Sequence, residues 1–351
     1  MKPEPAESSG RNPPESPRFP GGGGGVTFRA MHRLLPVLIL AAACSAPPET
    51  ADAPADPAEP LPPILAQNAF LYYRDLAEAE AFYRDTLGLP LASDFGFAKI
   101  FQVAESAYLT LVDEAEGMHS ADEPKTVAFA LITDRLADWQ ARLDAAGANF
   151  RSRFDPEAAD PEAPHHGFTV FDPGGYILEF ERFLPHAENV DLMPILDTTE
   201  PLGGDDAAAG PGMGFEAMIV WLYYPDIPEM LDWYQTTFGF PESLDQGWVK
   251  GLRTSYAGFI GLVDSTRGMH SFTEDKAVTV SFFVEDVTPW HEHLEGAEGY
   301  RSRTGITSES DRVTVFVGYD PGNYFLEFDT FVEAPGNEEL RAQLAAVRIA
   351  E

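Results

Sequence analysis

LVDEAEGMHS at residues 111–120 returns as LVDSTRGMHS at residues 262–271, 151 residues further along the chain. At that spacing residues 70–143 align without a gap on residues 221–294, LYYRD on LYYPD and LGLP on FGFP. One residue is lost before RSR at Arg151 and Arg301, and two more before the last strand, so that DPGGYILEF from Asp172 pairs with DPGNYFLEF from Asp320. The body of the chain is a tandem duplication. A repeat of this length settles the architecture before any local pattern is weighed.

Within one copy the hydrophobic periods are legible. The aromatic and aliphatic run at residues 69–73 reads as a strand. Asp75 then opens a helix whose Leu76, Ala79, Phe82, Tyr83 and Leu87 recur at three and four, with Gly88 and Pro90 ending it. Short strands are expected at residues 98–103 and 108–112. A second unit starts at residues 127–132, continues into a helix over residues 135–145 with Leu136, Trp139 and Leu143 on one face, and ends in strands near residues 149–154, 167–171 and 176–183. Each copy thus reads as two βαβββ units, four modules in all, and the fold class is α+β.

A strand, Asp-Leu, a helix carrying Phe-Tyr, Leu-Gly, and a closing DPGG with Glu in the last strand together resemble the vicinal oxygen chelate superfamily of glyoxalase I, extradiol dioxygenases and bleomycin-resistance proteins. The resemblance covers residues 66–184 and 215–332 and implies two glyoxalase-like domains with curved mixed sheets. It fixes no activity, because that scaffold hosts lyases, oxygenases, epimerases and binding proteins.

Metal-dependent members hold a divalent ion through His, Gln or Glu on inward strand positions. The first ligand sits seven residues before the Asp that opens the helix. Here the resemblance puts Asn68 and Ile219 at that position, Val127 and Val278 at its equivalent in the second units, and Thr110 and Gly261 at the carboxylate position. Glu179 and Glu327 alone agree with the family. One glutamate and an amide fall short of the three or four donors that a transition metal needs, so no metal cofactor is expected at the usual place.

The duplicated histidines, His119 and His270, lie in the connection between the units of each copy. Two readings stand open: a ligand contact or general acid–base group at the cleft rim, or a structural hydrogen bond to nearby backbone. The five lysines are Lys2 and two matched pairs, Lys99 with Lys250 and Lys125 with Lys276. Lys99 and Lys250, inside strands, either face a ligand or pair with carboxylates on an exposed face. Arg151 with Arg153 and Arg301 with Arg303 alternate along a strand and so should share a face, as an anion-binding wall or as surface ion pairs. Tyr72 and Tyr223 are expected to line the cavity.

A net charge of −34 and a pI near 4.4 argue against nucleic-acid partners. The one cysteine, Cys44, excludes an internal disulfide framework. Met31-His32-Arg33, the apolar run LLPVLILAAA and Cys44-Ser45 resemble a bacterial lipoprotein signal, too short to span a bilayer as a helix. Translation is therefore expected to start at Met31, with residues 1–30 a disordered extension, 31–44 the signal peptide, 45–64 a disordered Pro- and acid-rich tether, 65–185 and 215–333 the two domains, 186–214 a linker and 334–351 a C-terminal helix. The expected function is that of an envelope lipoprotein, anchored through lipid at Cys44 on the periplasmic or extracellular face. It would bind a small molecule, anionic ligands included, without metal, through Asn68, Tyr72, Lys99, Glu179, Tyr223, Lys250 and Glu327. The alternatives are a metal-dependent lyase, isomerase or dioxygenase with a site rearranged around Glu179, Glu327 and the two histidines, and a partner-binding protein whose clefts are filled.

Overall fold

The computed structural model describes residues 60–350. The signal, Cys44 and the first part of the tether lie outside the described residues. The first module comprises β1 (Ile64–Tyr73), α1 (Leu76–Ala81, continued by a π-type turn Phe82–Thr86), β2 (Leu91–Asp94), β3 (Ala98–Ala104) and β4 (Ala107–Asp113). The second comprises β5 (Val127–Ile132), α2 (Leu136–Ala145), β6 (Asn149–Ser152), β7 (His165–Phe171) and β8 (Ile177–Phe183), followed by the short α3 (Met193–Leu196). The third has β9 (Ala217–Tyr224), α4 (Ile227–Phe238), β10 (Glu242–Asp245), β11 (Val249–Arg253) and β12 (Gly258–Asp264). The fourth has β13 (Val278–Val284), α5 (Val287–Glu295), β14 (Arg301–Ser302), β15 (Thr307–Glu309), β16 (Val313–Tyr319) and β17 (Phe325–Phe331), and α6 (Glu338–Ala346) follows it. The fold class is the one the repeat implied: α+β, four βαβββ modules, two mixed sheets.

The pairing between modules is the feature that the repeat conceals. Sheet I runs β14-β16-β17-β13-β1-β4-β3-β2, with β15 on β16, and so joins the fourth module to the first. Sheet II runs β10-β11-β12-β9-β5-β8-β7-β6 and joins the third to the second. The joints are antiparallel, β1 with β13 and β5 with β9. Neither sheet belongs to one copy of the repeat. The joint strands VAFALI and AMIVWLYY are buried along their whole length.

Local chemistry starts and stops the helices as the sequence requires. Asp75 and Asp226 accept the Glu78 and Glu229 backbone N–H, and Gly239, at φ 71°, closes α4 in the left-handed region. Between the sheets lies a continuous apolar core that includes Trp139 and Trp290. Two buried aspartates tie the modules of each copy across it. Asp172 of the DPGG turn accepts from the hydroxyls of Tyr73 (2.6 Å) and Tyr83 (3.0 Å), and Asp320 accepts from Tyr224 and from Tyr234 (2.9 Å). The tyrosine that follows each turn then crosses to the other copy. Tyr176 donates to the Ala277 carbonyl at 2.6 Å and Tyr324 to the Thr126 carbonyl at 2.7 Å.

The repeat also runs further than its alignment suggested. Asn189 donates its amide to the Pro164 and Leu184 carbonyls, and Asn337 does the same to Arg312 and Val332. Leu192 and Leu196 are buried in the segment after β8 as Leu340 and Leu344 are in α6. The helical piece inside residues 186–214 and α6 are therefore counterparts. Leu340 and Leu344 cover Ala66, Tyr108 and Phe283 on sheet I.

Candidate functional site

On sheet II the residues that share the face opposite the helices follow from register. Ala128 is opposite Trp221 and Ala130 opposite Ile219 across the joint; Ala130 is beside Glu179, Trp221 beside Gly261, and Thr169 and Gly167 beside Glu179 and Glu181. The residues of this face at Ala128, Ala130, Gly167 and Gly261 are small. A cleft of about 420 Å³ opens over this face, with Glu179, Glu181, Trp221 and Tyr223 in its lining and Arg151, Arg267, Trp248 and Met269 around it.

Gly261 decides the shape of the floor. A Cβ at this position would fall 1.8 Å from Cε3 of Trp221, so the absence of a side chain lets the indole lie flat on the neighbouring strand. In that position Trp221 Nε1 donates to Glu179 Oε2 at 2.9 Å. Burial, with the charge of Glu181 second, pushes the Glu179 carboxyl up to about 8, against the Trp221 hydrogen bond. Glu181 Oε1 lies 2.9 Å from His165 Nδ1. Burial alone would lower the His165 pKa, but bonding to Glu181 outweighs it and raises the pKa overall.

The rim is built by the duplicated tetrapeptide. A Cβ on Gly268 would meet the Tyr223 ring at 2.6 Å, and one on Gly117 the Tyr72 ring at 2.7 Å. The glycine of GMHS thus seats a tyrosine beneath the loop, and the histidine packs on it edge-on: His119 is 5.0 Å from Tyr72 and His270 5.0 Å from Tyr223. His119 Nδ1 bonds Glu123 at 2.7 Å. Burial lowers the pKa of both histidines, which favours neutral rings held in packing. Met269 of the same loop lies 3.0 Å from Arg151 Nη1.

Sheet I carries larger groups on the matching face. Phe70 stands for Trp221, Thr110 for Gly261, Thr279 and Ser281 for Ala128 and Ala130, Phe325 for Ile177, and Val315 for Gly167. Tyr72 is tied to Thr279 at 2.8 Å, Thr110 to Asn68 at 2.9 Å, and His119 packs 4.2 Å from Phe325. Glu327 and Asp329, 7% and 3% exposed, bond to each other, and Ser281 donates to Asp329. Burial and mutual repulsion hold Glu327 well above the usual carboxylate range; burial brings Asp329 to about 7.

Several sequence expectations change here. Lys99 pairs with Asp94 at 2.8 Å and Glu80 at 3.5 Å, and Lys250 with Asp245 at 2.6 Å and Glu242 at 3.0 Å, so both serve ion pairs and neither lines the cleft. Val127 and Val278 point into the helix-side core. The helix of the second unit is capped at Arg135, one residue beyond Asp134, which moves the seven-residue count to Ala128 and Thr279 and hence to the opposite face. Glu179 and Tyr223, with His270 against it, belong to sheet II; Glu327, Tyr72, Asn68 and His119 belong to sheet I. A single site uniting Glu179, Glu327 and both histidines is therefore not formed. Arg151 and Arg153 also part company. A bulge in β6 between Phe150 and Ser152 breaks the alternation; Arg153 pairs with Asp144 at 2.7 Å while Arg151 lines the cleft.

Among the described residues no group of three His, Cys, Asp or Glu side chains is placed to hold a metal ion. Ile219, Gly261, Ala128 and Ala130 offer no donor around Glu179, and the Trp221 N–H already occupies one of its oxygens. The residues present do not fit a divalent ion of the kind the family resemblance implies.

Residues 65–180 match the sequence family described as the Glyoxalase/Bleomycin resistance protein/Dioxygenase superfamily. No curated protein sequence matches the chain. Among solved structures, glyoxalase I from Zea mays is similar with a TM-score of 0.55 at 12% identity, over 82% of this chain and 96% of that one. A protein from Bacillus subtilis subsp. subtilis str. 168, described as a candidate dioxygenase, is similar with a TM-score of 0.50 at 16% identity, over 82% of this chain and 91% of that one. At such identities the likeness is one of fold. The chain thus carries at residues 65–180 a match to the glyoxalase, bleomycin-resistance and dioxygenase superfamily, within a four-module fold shared with glyoxalase I.

Proposed function

We propose that the cleft of sheet II binds a small anionic molecule without a metal ion. The observation that carries this reading is the state of its two guanidinium groups. The chain carries a net charge of −34, and Arg74, Arg84, Arg135, Arg153 and Arg348 lie against carboxylates; of the described arginines that do not, Arg151 and Arg267 are the two that line this cleft. Arg151 and Arg267 make no ion pair among the described residues. Arg151 has the Met269 thioether as its partner, and Arg267 stacks 4.9 Å over Trp248. Two cations kept apart from so many carboxylates at the mouth of an aromatic cleft suit a ligand that brings its own negative charge.

Thermal unfolding of the purified protein against a panel of small carboxylates and their uncharged amides tests this. Acids are expected to stabilise the protein, by about 2.7 kcal/mol at a hundredfold excess over Kd. The effect should vanish in Arg151→Ala/Arg267→Ala. Stabilisation by the amides alone, or by acids in the double variant, would overturn the reading, as would a stoichiometric divalent ion in freshly purified protein. The same proposal places the protein at the cell envelope through a lipid on Cys44. Fractionation should move the Cys44→Ala protein from membrane to soluble fractions; an unchanged distribution would sink the anchor.

A second reading rests on Glu179. A carboxyl raised to about 8 in a cleft is a candidate proton donor for acid–base chemistry on the bound molecule. Turnover abolished in Glu179→Gln with ligand binding retained would establish it.

A further inference from the structure

The anionic end of the ligand accounts for only one side of the cleft. Two strands from Arg151 in the sheet lies Glu181, 6% exposed, whose Oε1 meets His165 while Oε2 is buried without a hydrogen-bond partner. A carboxylate oxygen left unsatisfied in a dry place costs free energy that a donor can recover. Glu181 and its neighbour across the ladder, Gly167, both line the cleft, and the position matching Gly167 on sheet I holds Val315.

Arg151 and Glu181 are set across the sheet from each other. Arg151 is on β6 and Glu181 on β8 with β7 between them, a separation of about 10 Å at the usual strand spacing. Between the two, Ser152 and Thr169 satisfy each other at 2.8 Å and offer little to a ligand. The indole of Trp221, flat on Gly261, forms the floor.

We propose that the ligand is a planar molecule bearing an anionic group for Arg151 and Arg267 at one end and a hydroxyl or amino donor for Glu181 Oε2 at the other. The inference rests on the anion-binding reading above. A simple cation is disfavoured by Arg151, Arg267 and His165 in the same cleft. A simple acid leaves the Glu181 oxygen as it stands in the free protein. Flat shape follows from Trp221 beneath and Trp248 at the side.

Calorimetric titration with matched pairs tests it: para-hydroxybenzoate against para-methoxybenzoate, and para-aminobenzoate against its N,N-dimethyl analogue. The donor member of each pair is expected to bind about tenfold more tightly, the factor that one hydrogen bond to a buried, otherwise unsatisfied acceptor supports. Glu181→Gln should erase most of that preference, and Arg151→Ala should weaken all four probes together. If all four bind equally and Arg151→Ala still weakens them, the donor end falls while anion binding stands. If the preference survives Glu181→Gln, Glu181 is not its source and the proposal fails. If none of the four binds, this ligand class is overturned, and the carboxylate panel above decides separately whether anions bind at all.

Discussion

The Trp221 indole occupies the volume that a side chain on Gly261 would fill, and from there its N–H holds the Glu179 carboxyl. On sheet I the equivalent pair is Phe70 with Thr110. Gly261→Thr should therefore destabilise the protein by about 1–3 kcal/mol through overpacking. Trp221→Phe in the same chain should recover part of this by restoring the sheet I combination. A double-mutant cycle in urea is expected to give a coupling of at least about 1 kcal/mol between the two positions; additive effects would show that the indole does not rest there.

The raised carboxyls of the two sheet faces, Glu179, Glu327 and Asp329, bend the pH dependence of stability in one direction, as do the raised Asp172, Asp320 and Glu216. Glu179 at about 8 and Asp329 at about 7, with Glu327 also raised, bind protons in the folded state at pH values where an unfolded carboxyl has released them. Their contribution is complete below the unfolded values near 4 and is lost as pH rises through the folded ones. Stability should fall between about pH 5 and pH 8.5. Asp329→Asn should flatten that fall, by something on the order of a few kcal/mol at most. Denaturant midpoints across the range would check it, and a wild-type stability that rises toward pH 8.5 would contradict it.

Asp172 is a structural acid. It accepts from Tyr73, Tyr83 and the Tyr176 backbone N–H inside the core, and burial, opposed by those hydrogen bonds, brings it to about 6. Asp172→Ala orphans two buried hydroxyls and should cost about 3–5 kcal/mol; Tyr83→Phe, which removes one partner, should cost about 1 kcal/mol. Equal costs for the two would show that the cluster does not act as a unit.

Gly268→Ala should drive the Tyr223 ring toward the cleft, and Gly117→Ala should disturb Tyr72 on sheet I. Both are expected to lose about 1–3 kcal/mol of stability. Only Gly268→Ala should also weaken ligand binding at the sheet II cleft. Calorimetry on the two variants, at a temperature where both are folded, separates the effects.

The four modules and their helices were legible because alternation, three-and-four spacing and the duplication all point the same way. β2 was missed: Leu91–Asp94 is a four-residue edge strand with exposed ends, too short to show a period. The cleft face of the second unit was misplaced by one residue, since Asp134 resembles a helix cap while Arg135 occupies the position. Strand pairing between copies leaves no trace in one sequence, because identical modules offer identical edges. Gly261 read as a lost ligand. Only the neighbouring strand shows that its missing side chain is what admits Trp221, and a glycine opposite a tryptophan becomes informative once register is known. The matched lysines were a real signal of a different kind: Lys276 donates to the Gly322 carbonyl at 2.8 Å and Lys125 to Ala121 at 2.7 Å, fastening loops.

Because the sheets interleave the copies, inheritance in this molecule does not follow its halves. The open cleft is written in the second and third quarters of the duplicated region, and the filled face in the first and fourth. Two offspring of one ancestral segment can specialise only as partners, each lending a wall to the face the other keeps. A chain severed between α3 and β9 would yield two pieces, each holding half of both platforms, that must find one another again to fold.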